Sequence, residues 1–161
     1  MYKTITPADM KRVEGRVMAE TGVTGDRLMA RAAAHVARAA RGMGAKRALC
    51  VCGTGNNGGD GLAAMRLLAG DAAFSGVCWL LPGPLSHDAR RELDRLRACG
   101  NQVEVITLGG DCPPLPNGVE LIIDAMFGTG LSRPLEGVAL DICHRLNESR
   151  LPVVAVDTPP G

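Results

Sequence analysis

The apolar positions of the chain fall into short runs that alternate with longer segments of helical spacing. Most of the short runs lack polar alternation, which is typical of strands buried on both faces of a parallel sheet. The runs that predict strands are Arg47–Cys52, Val77–Leu81, Val103–Leu108, Val119–Ala125 and Val153–Val156.

Helical spacing predicts helices over Asp60–Ala69, Ser86–Ala98 and Gly137–Ser149, with Ser86 as the cap of the second. The connection Gly109–Gly118 is rich in proline and predicts a loop. A regular alternation of strands and helices predicts an α/β fold with a mostly parallel sheet, right-handed crossovers and helices on both faces.

Two further helices are predicted before the first strand. Thr6-Pro7-Ala8-Asp9 has the cap residue, proline and acid of a helix start. Thr24 is the predicted cap of a second helix that ends near Gly42 or Gly44. We expect these helices to cover one edge of the sheet or to pack against another subunit.

A segment of unusual composition, residues 53–61, joins the first strand to the next helix. It contains five glycines, the pair Asn56-Asn57 and Asp60. Glycine allows close approach of a ligand, and a helix N-terminus favours negative charge, so the segment predicts a loop that holds an anionic group. Gly53-x-Gly55-x-x-Gly58 matches the dinucleotide fingerprint, but the second strand ends at Leu81 without the acid that binds ribose. The sequence therefore disfavours an ordinary hydride-transferring site, and no Walker lysine follows the glycines either.

Two more informative segments follow the fourth and fifth strands, at residues 124–134 and 157–161. Ligands of open parallel sheets bind beyond the carboxyl ends of the strands, where the strand order reverses. With strand order 3-2-1-4-5, all three segments would face one crevice.

Each charged residue of these segments has a structural and a functional interpretation. Asp60 either complements a helix N-terminus or contacts a ligand. Asp124 and Asp157 each end a strand, so they either cap turns or form a cation site or an acid–base pair. Asn57 offers a neutral oxygen that would fit beside Asp124 around a large monovalent cation. Arg133 either pairs with phosphate or is a solvated surface residue.

Composition narrows the function classes further. The 161-residue chain is 46% hydrophobic with a net charge of +1 and 2% aromatic residues, which disfavours a dedicated nucleic-acid binder. No apolar run approaches the roughly 20 residues needed to span a membrane, and no secretory signal is recognisable. The six cysteines form no Cys-x-x-Cys pair and are interpreted as small apolar residues of a protein in the reducing cytoplasm.

The segments Asn56–Gly61, Asp124–Leu131 and Val156–Pro159, with the opening Thr6–Met10 and the helix around Leu28–Ala32, resemble one family. It is the YjeF N-terminal domain family, the NAD(P)H-hydrate epimerases. The resemblance spans nearly the whole chain. It implies a Rossmann-like αβα sandwich, usually a homodimer, that interconverts the R and S forms of NADHX and NADPHX, the hydrated forms of the reduced cofactors. This activity belongs to metabolite repair.

The resemblance also implies roles for individual residues. The substrate would be bound by Asn56, Asn57, Gly58, Gly59, Asp60, Gly128, Thr129, Gly130, Leu131, Ser132, Arg133, Pro134 and Asp157. A potassium ion would be held by Asn57 and Asp124. Pro160 stands where the family usually has a serine of the potassium site, and proline keeps a carbonyl oxygen but lacks the hydroxyl.

Family domains continue beyond the position of Gly161, so the resemblance implies a single domain over residues 1–161 that is truncated at its C-terminal end. Some family members are fused to an ADP- or ATP-dependent dehydratase, which is therefore an expected fused or separate partner.

Two function hypotheses remain. In the first, the chain is an epimerase in which Asp157 shuttles a proton, because burial can raise the pKa of a strand-end carboxylate toward working pH. In the second, it is a non-catalytic module of the same fold that binds a nucleotide or supports dimerisation.

Overall fold

The computed structural model describes residues 12–13, 15–16, 19–22, 24–128 and 131–156. The described residues of the range 12–21 are helical. The elements that follow are α1 (Gly25–Gly42), β1 (Arg47–Cys52), α2 (Asn56–Leu68), β2 (Ser75–Leu80), α3 (His87–Ala98), β3 (Val103–Thr107), β4 (Leu121–Ala125), α4 (Gly137–Ser149) and β5 (Val153–Ala155).

The five strands form one sheet in the order β3-β2-β1-β4-β5, and every neighbouring pair is parallel. This is the strand order under which the segments that follow β1, β4 and β5 would face one crevice. From β1 the chain adds β2 and β3 on one side and then returns to place β4 on the other side. The strand order thus reverses between β1 and β4, which is where such folds bind ligands.

Helices cover both faces of the sheet and give three layers. On one face, α1, α2 and α3 pack on a core that includes Cys50, Cys78 and Ile123. On the other face, α4 and the β3–β4 connection pack on a second core, in which Trp79 is the largest fully buried side chain. The α/β sandwich predicted from the alternating pattern is thus confirmed.

Most boundaries agree with the sequence prediction to within two residues. Thr24 and Ser86 occupy the N-cap positions expected of them, and the connection after β3 carries no helix or strand. One boundary was predicted wrongly, because α2 begins at Asn56 and not at Asp60. Glycine disfavours helices by about 1 kcal/mol relative to alanine, so propensity assigned Gly58 and Gly59 to a loop.

The N-terminal part of the fold covers the β5 side of the sheet. Helix α1 packs beside α2, and Val154 and Val156 pack against the same core as α1. For α1, this favours the first of the two roles expected of the helices that precede β1. The helix start predicted at Thr6-Pro7-Ala8-Asp9 lies outside the described residues. Within the described residues, no helix has the length and apolarity that crossing a membrane requires.

Candidate functional site

A cleft of about 810 Å³ opens at the carboxyl edge of the sheet, at the β1–β4 switch point. One side is the segment of residues 53–61, which we call the glycine wall. The other side, called the open wall, consists of residues 126–128, 131–133 and 136. The lining residues are Thr54, Gly55, Asn56, Asn57, Asp60, Leu81, Pro82, Met126, Phe127, Gly128, Leu131, Ser132, Arg133, Glu136, Val138 and Ala139.

The glycines of the glycine wall mostly face protein and not the cleft. A Cβ on Gly53 would stand 1.8 Å from the Met126 carbonyl oxygen, and one on Gly58 would stand 1.9 Å from the Gly53 carbonyl oxygen. A Cβ on Gly61 would stand 2.5 Å from that of Ala125. Only at Gly55 is the space open within 4 Å among these glycines. The glycines therefore bring the first turns of α2 into contact with the ends of β1 and β4.

This packing aims the N-terminus of α2 at the cleft. The N-cap is Gly55, which has no capping side chain, and the first turn carries no acid. The free backbone N–H groups and the helix dipole favour an anion at such a position. Asp60 is the fifth residue of α2, so of its two interpretations the one in which it complements the helix start does not hold. Asp60 lies instead on the cleft surface.

The two asparagines of the glycine wall have different environments. Asn56 is exposed, and its Oδ1 accepts a hydrogen bond of 3.1 Å from Ser86 Oγ. Asn57 is half-buried, and its Nδ2 is buried without a hydrogen-bond partner in the part of the chain that the structure describes. A buried amide without a partner is unfavourable. Rotation of the Asn57 amide would place an acceptor oxygen at the same position.

Asp124 lies at the end of β4 and caps a turn, since its Oδ1 accepts a hydrogen bond of 3.1 Å from the Met126 N–H. Its neighbours two residues away, Ile122 and Met126, belong to the core beneath α4. Cys143 of α4 is near enough that burial, and then the Asp124 charge, raise the pKa of its thiol. Asp124 thus faces α4, and it is not among the described residues that line the cleft.

The open wall combines exposed apolar side chains with charge. Phe127 is 37% exposed and Leu131 is 49% exposed. Arg133 supplies the positive charge of this wall, and Glu136, the N-cap of α4, supplies a carboxylate that makes no capping hydrogen bond. The wall can therefore offer an apolar surface to a ring and a cation to a phosphate.

The predicted binding residues divide into three groups. Those at the cleft are Asn56, Asn57, Asp60, Gly128, Leu131, Ser132 and Arg133. Gly58 and Gly59 are buried instead and pack within the protein, and Pro134 is outside the described lining. Thr129, Gly130, Asp157 and Pro160 lie outside the described residues.

Sequence reasoning missed several lining residues. Leu81 and Pro82 follow β2, so the rule that ligands lie beyond strand ends should have included them. Phe127 was within a segment singled out by sequence, without a role of its own. Glu136, Val138 and Ala139 lie at the start of α4, and no motif marks them.

All six cysteines are free, and three of them are buried, as expected of small apolar residues. Cys50, Cys52 and Cys78 are fully buried, and the Cys50 and Cys52 sulfur atoms lie 3.4 Å apart. Hydrogen bonding to Cys52 and Cys78, together with burial, raises the pKa of Cys50 well above its ordinary value. Among the described residues, no group of three or more His, Cys, Asp or Glu side chains is arranged to hold a metal ion.

Comparison with known proteins extends this description. A family model described as the YjeF-related protein N-terminus matches residues 25–161. The chain belongs to this family. The YjeF-related match covers all the strands and both walls of the cleft, and it confirms the family that the three motif segments resemble.

Several relatives carry functional names. The chain is 36% identical to the NAD(P)H-hydrate epimerase of Limosilactobacillus fermentum, over 99% of this chain and 75% of that protein. It is 34% identical to the NAD(P)H-hydrate epimerase of Rhodobacter capsulatus, over 100% of this chain and 78% of that protein. It is also 36% identical to the bifunctional NAD(P)H-hydrate repair enzyme of Thermofilum pendens, over 99% of this chain but only 31% of that protein.

A crystal structure of a yeast protein has the same fold. The TM-score is 0.79 at 23% sequence identity, with 99% of this chain and 72% of the yeast chain covered. At this identity the likeness concerns the fold alone.

Proposed function

We propose that this YjeF-related domain is an NAD(P)H-hydrate epimerase, which interconverts the R and S forms of NADHX and NADPHX. The observation that carries the proposal is the cleft at the β1–β4 switch point, between a helix N-terminus and Arg133. It occurs in a chain whose relatives bear the epimerase name over nearly its full length.

The proposed orientation of the substrate follows from the charges of the two walls. The N–H groups at the start of α2 and the Arg133 guanidinium would bind the pyrophosphate. The apolar side chains of the open wall, above all Phe127, would contact a ring of the substrate. The predicted backbone contacts of Thr129 and Gly130 belong to the same proposal.

The proposal includes a potassium ion bound by Asn57 and Asp124, with the Pro160 carbonyl oxygen as a third donor. The buried, unpartnered amide of Asn57 supports it, because a rotated amide would offer an oxygen to a cation. Asp124 uses one carboxylate oxygen for the Met126 N–H, and a carboxylate has a second. The ion would supply positive charge beside the phosphate-binding wall.

The chemistry requires one carbon of the substrate to invert. That carbon carries a hydroxyl and is bonded to the ring nitrogen, so it inverts if water or the ring bond leaves and returns. A protein group must take up a proton and give it back during this step. We propose that Asp157, which follows β5 in the sequence, is this group.

The test is a chromatographic assay of R-to-S conversion of NADPHX, with wild type, the Asp157→Asn variant and a blank without enzyme. We expect wild type to exceed the blank and Asp157→Asn to lose most of that excess. The matched control is Asp111→Asn, an exposed aspartate of the β3–β4 connection, which should retain the wild-type rate.

Two outcomes would contradict parts of this proposal. Equal rates for wild type and Asp157→Asn would remove Asp157 from the mechanism. No conversion above the blank, together with thermal stabilisation by NADP⁺, would favour the non-catalytic nucleotide-binding module instead.

The cellular setting is also proposed. A homodimer is expected from the resemblance and is tested by sedimentation of the purified chain. Relatives described as bifunctional repair enzymes support a fused or separate ADP- or ATP-dependent dehydratase as the functional partner. The free cysteines support a reducing, cytoplasmic location.

A further inference from the structure

Ser86 lies outside the lining of the cleft but forms hydrogen bonds with two lining residues, Thr54 and Asn56. It precedes α3, and its backbone N–H donates a hydrogen bond of 2.8 Å to the Thr54 carbonyl oxygen in the glycine wall. Its hydroxyl oxygen also accepts a 3.2 Å hydrogen bond from the Ala89 N–H and thereby caps α3. The backbone and side chain of Ser86 thus join the start of α3 to the glycine wall.

The proton of this hydroxyl favours one orientation of the Asn56 amide. A hydroxyl has one proton, and Ser86 donates it to Asn56 Oδ1 at 3.1 Å. A reversed amide could donate to the second lone pair of the hydroxyl, but the hydroxyl proton would then lose the acceptor that it has in the structure. The Asn56 oxygen is therefore directed to Ser86, and the amide NH₂ is the end that remains for a ligand.

The backbone around this hydrogen bond is closely packed. A Cβ on Gly59 would stand 2.9 Å from Met29 Cε and 3.2 Å from Ala89 Cα, so the backbones of α2 and α3 approach closely there. Gly83 has φ of +130°, and a Cβ there would stand 3.3 Å from Thr54 Cγ2. Close packing at Gly59 and at Gly83 limits the movement of Ser86 relative to Asn56. A residue that orients another must itself be held in place in this way.

We propose that Ser86 is a positioning residue, which orients Asn56 so that its amide NH₂ donates to a phosphate oxygen of the substrate. Asn56 is the first residue of α2, so this donor adds to the N–H groups at the same helix end. The ligand that fits is an acceptor-only group, a phosphate ester or pyrophosphate. The inference rests on the proposed function for the identity of the substrate.

The test is a double-mutant cycle of Ser86→Ala and Asn56→Ala, measured as the Kd of NADP⁺ by titration calorimetry. If Ser86 acts through Asn56, Ser86→Ala weakens NADP⁺ binding about fivefold in the wild-type background. In the Asn56→Ala background it has no further effect on Kd. Lost helix capping would instead weaken binding in both backgrounds, so equal effects, or none in wild type, would overturn the inference.

Further variants separate positioning from stability. Ser86→Thr keeps both the acceptor and the proton and is expected to restore Kd. Ser149→Ala removes the hydroxyl that bonds Leu146 and Leu151 at the far end of α4, and it should leave Kd unchanged. Failure of Ser86→Thr to restore Kd in a folded protein would count against the inference.

These measurements distinguish a failure of the proposed epimerase function from a failure of the positioning role of Ser86. In NADPHX kinetics, Ser86→Ala should raise KM with kcat nearly unchanged, because the Asn56 contact is made before the chemical step. Wild type that binds NADP⁺ with the predicted coupling, but does not epimerise NADPHX, would contradict the proposed function alone. Wild type that epimerises but shows additive effects on Kd would contradict the positioning role alone.

Discussion

The two walls of the cleft are built in opposite ways. In the glycine wall, Gly53, Gly58 and Gly61 leave no space for even one added carbon atom. In the open wall, Phe127 and Leu131 expose more than a third of their surface. A fixed wall can hold a phosphate in constant geometry, while an exposed wall can adapt to a ring. Glycine therefore serves packing on one side of the cleft, and side chains serve contact on the other.

The largest effect is expected from Gly58→Ala in the glycine wall. The added carbon atom would stand 1.9 Å from the Gly53 carbonyl oxygen. We expect the free energy of unfolding in urea to fall by about 3 kcal/mol or more. The control is Gly109→Ala, where nothing lies within 4 Å, and its effect should be within about 0.5 kcal/mol. Equal free energies of unfolding for Gly58→Ala and Gly109→Ala would show that Gly58 has no special packing role.

Substitutions in the open wall should change the affinity for nucleotide and leave the free energy of unfolding unchanged. Arg133→Ala is expected to weaken NADP⁺ binding about tenfold, since a charge-assisted contact to phosphate is lost, and to leave the free energy of unfolding unchanged. Calorimetric titration and urea unfolding measure the two effects. Arg38→Ala, an exposed arginine of α1, is the matched control. A loss of stability in Arg133→Ala, or an unchanged Kd for NADP⁺, would contradict the claim that the open wall serves binding and the glycine wall serves stability.

Substitution of Asn57 tests whether the glycine wall also binds a cation. With potassium at ten times its Kd, the melting temperature should exceed that in sodium by about 3 °C. Asn57→Ala should lose this difference, because the side chain proposed to bind the ion is absent. Asn147→Ala, an exposed asparagine of α4, should keep it. The same melting temperature in both salts for wild type would remove potassium from the proposal.

The smallest effect concerns Cys143. Burial and the charge of Asp124 raise the pKa of this thiol, so it holds less thiolate at pH 8.5 than an ordinary cysteine. Asp124→Asn removes the charge, and we expect alkylation of Cys143 to become about twofold faster. Mass spectrometry of alkylated peptides measures this rate, with exposed Cys99 as the internal reference. An unchanged rate would place the Asp124 carboxylate away from α4.

The sheet could be predicted from sequence because its strands are buried on both faces. Leu49 and Val51 face one core, while Cys50 and Cys52 face the other. Such strands appear in the sequence as continuous apolar runs, and strand–helix–strand crossovers between parallel strands are right-handed. The start of α2 was misplaced because Gly58 and Gly59 are poor helix formers, and only contacts with distant residues make glycine necessary there.

The site was less predictable than the fold for a related reason. The alternating pattern put the segments that follow β1 and β4 at the same edge of the sheet, and the parallel β1–β4 pairing confirms that these two strands are neighbours. It could not tell that Asp124 faces α4, because the direction of a side chain depends on register and on neighbouring helices. Nor could it relate Ser86 to Asn56, since their hydrogen bond spans 30 residues and depends on how α2 and α3 pack.

The most direct test of the central claim is a crystal structure of this protein with NADP⁺ bound. We expect the pyrophosphate to lie at the N-terminus of α2, within hydrogen-bond distance of Asn56, with Arg133 on its other side. A nucleotide bound away from the β1–β4 switch point, such as over the groove formed by Asp111, His144 and Glu148, would contradict it.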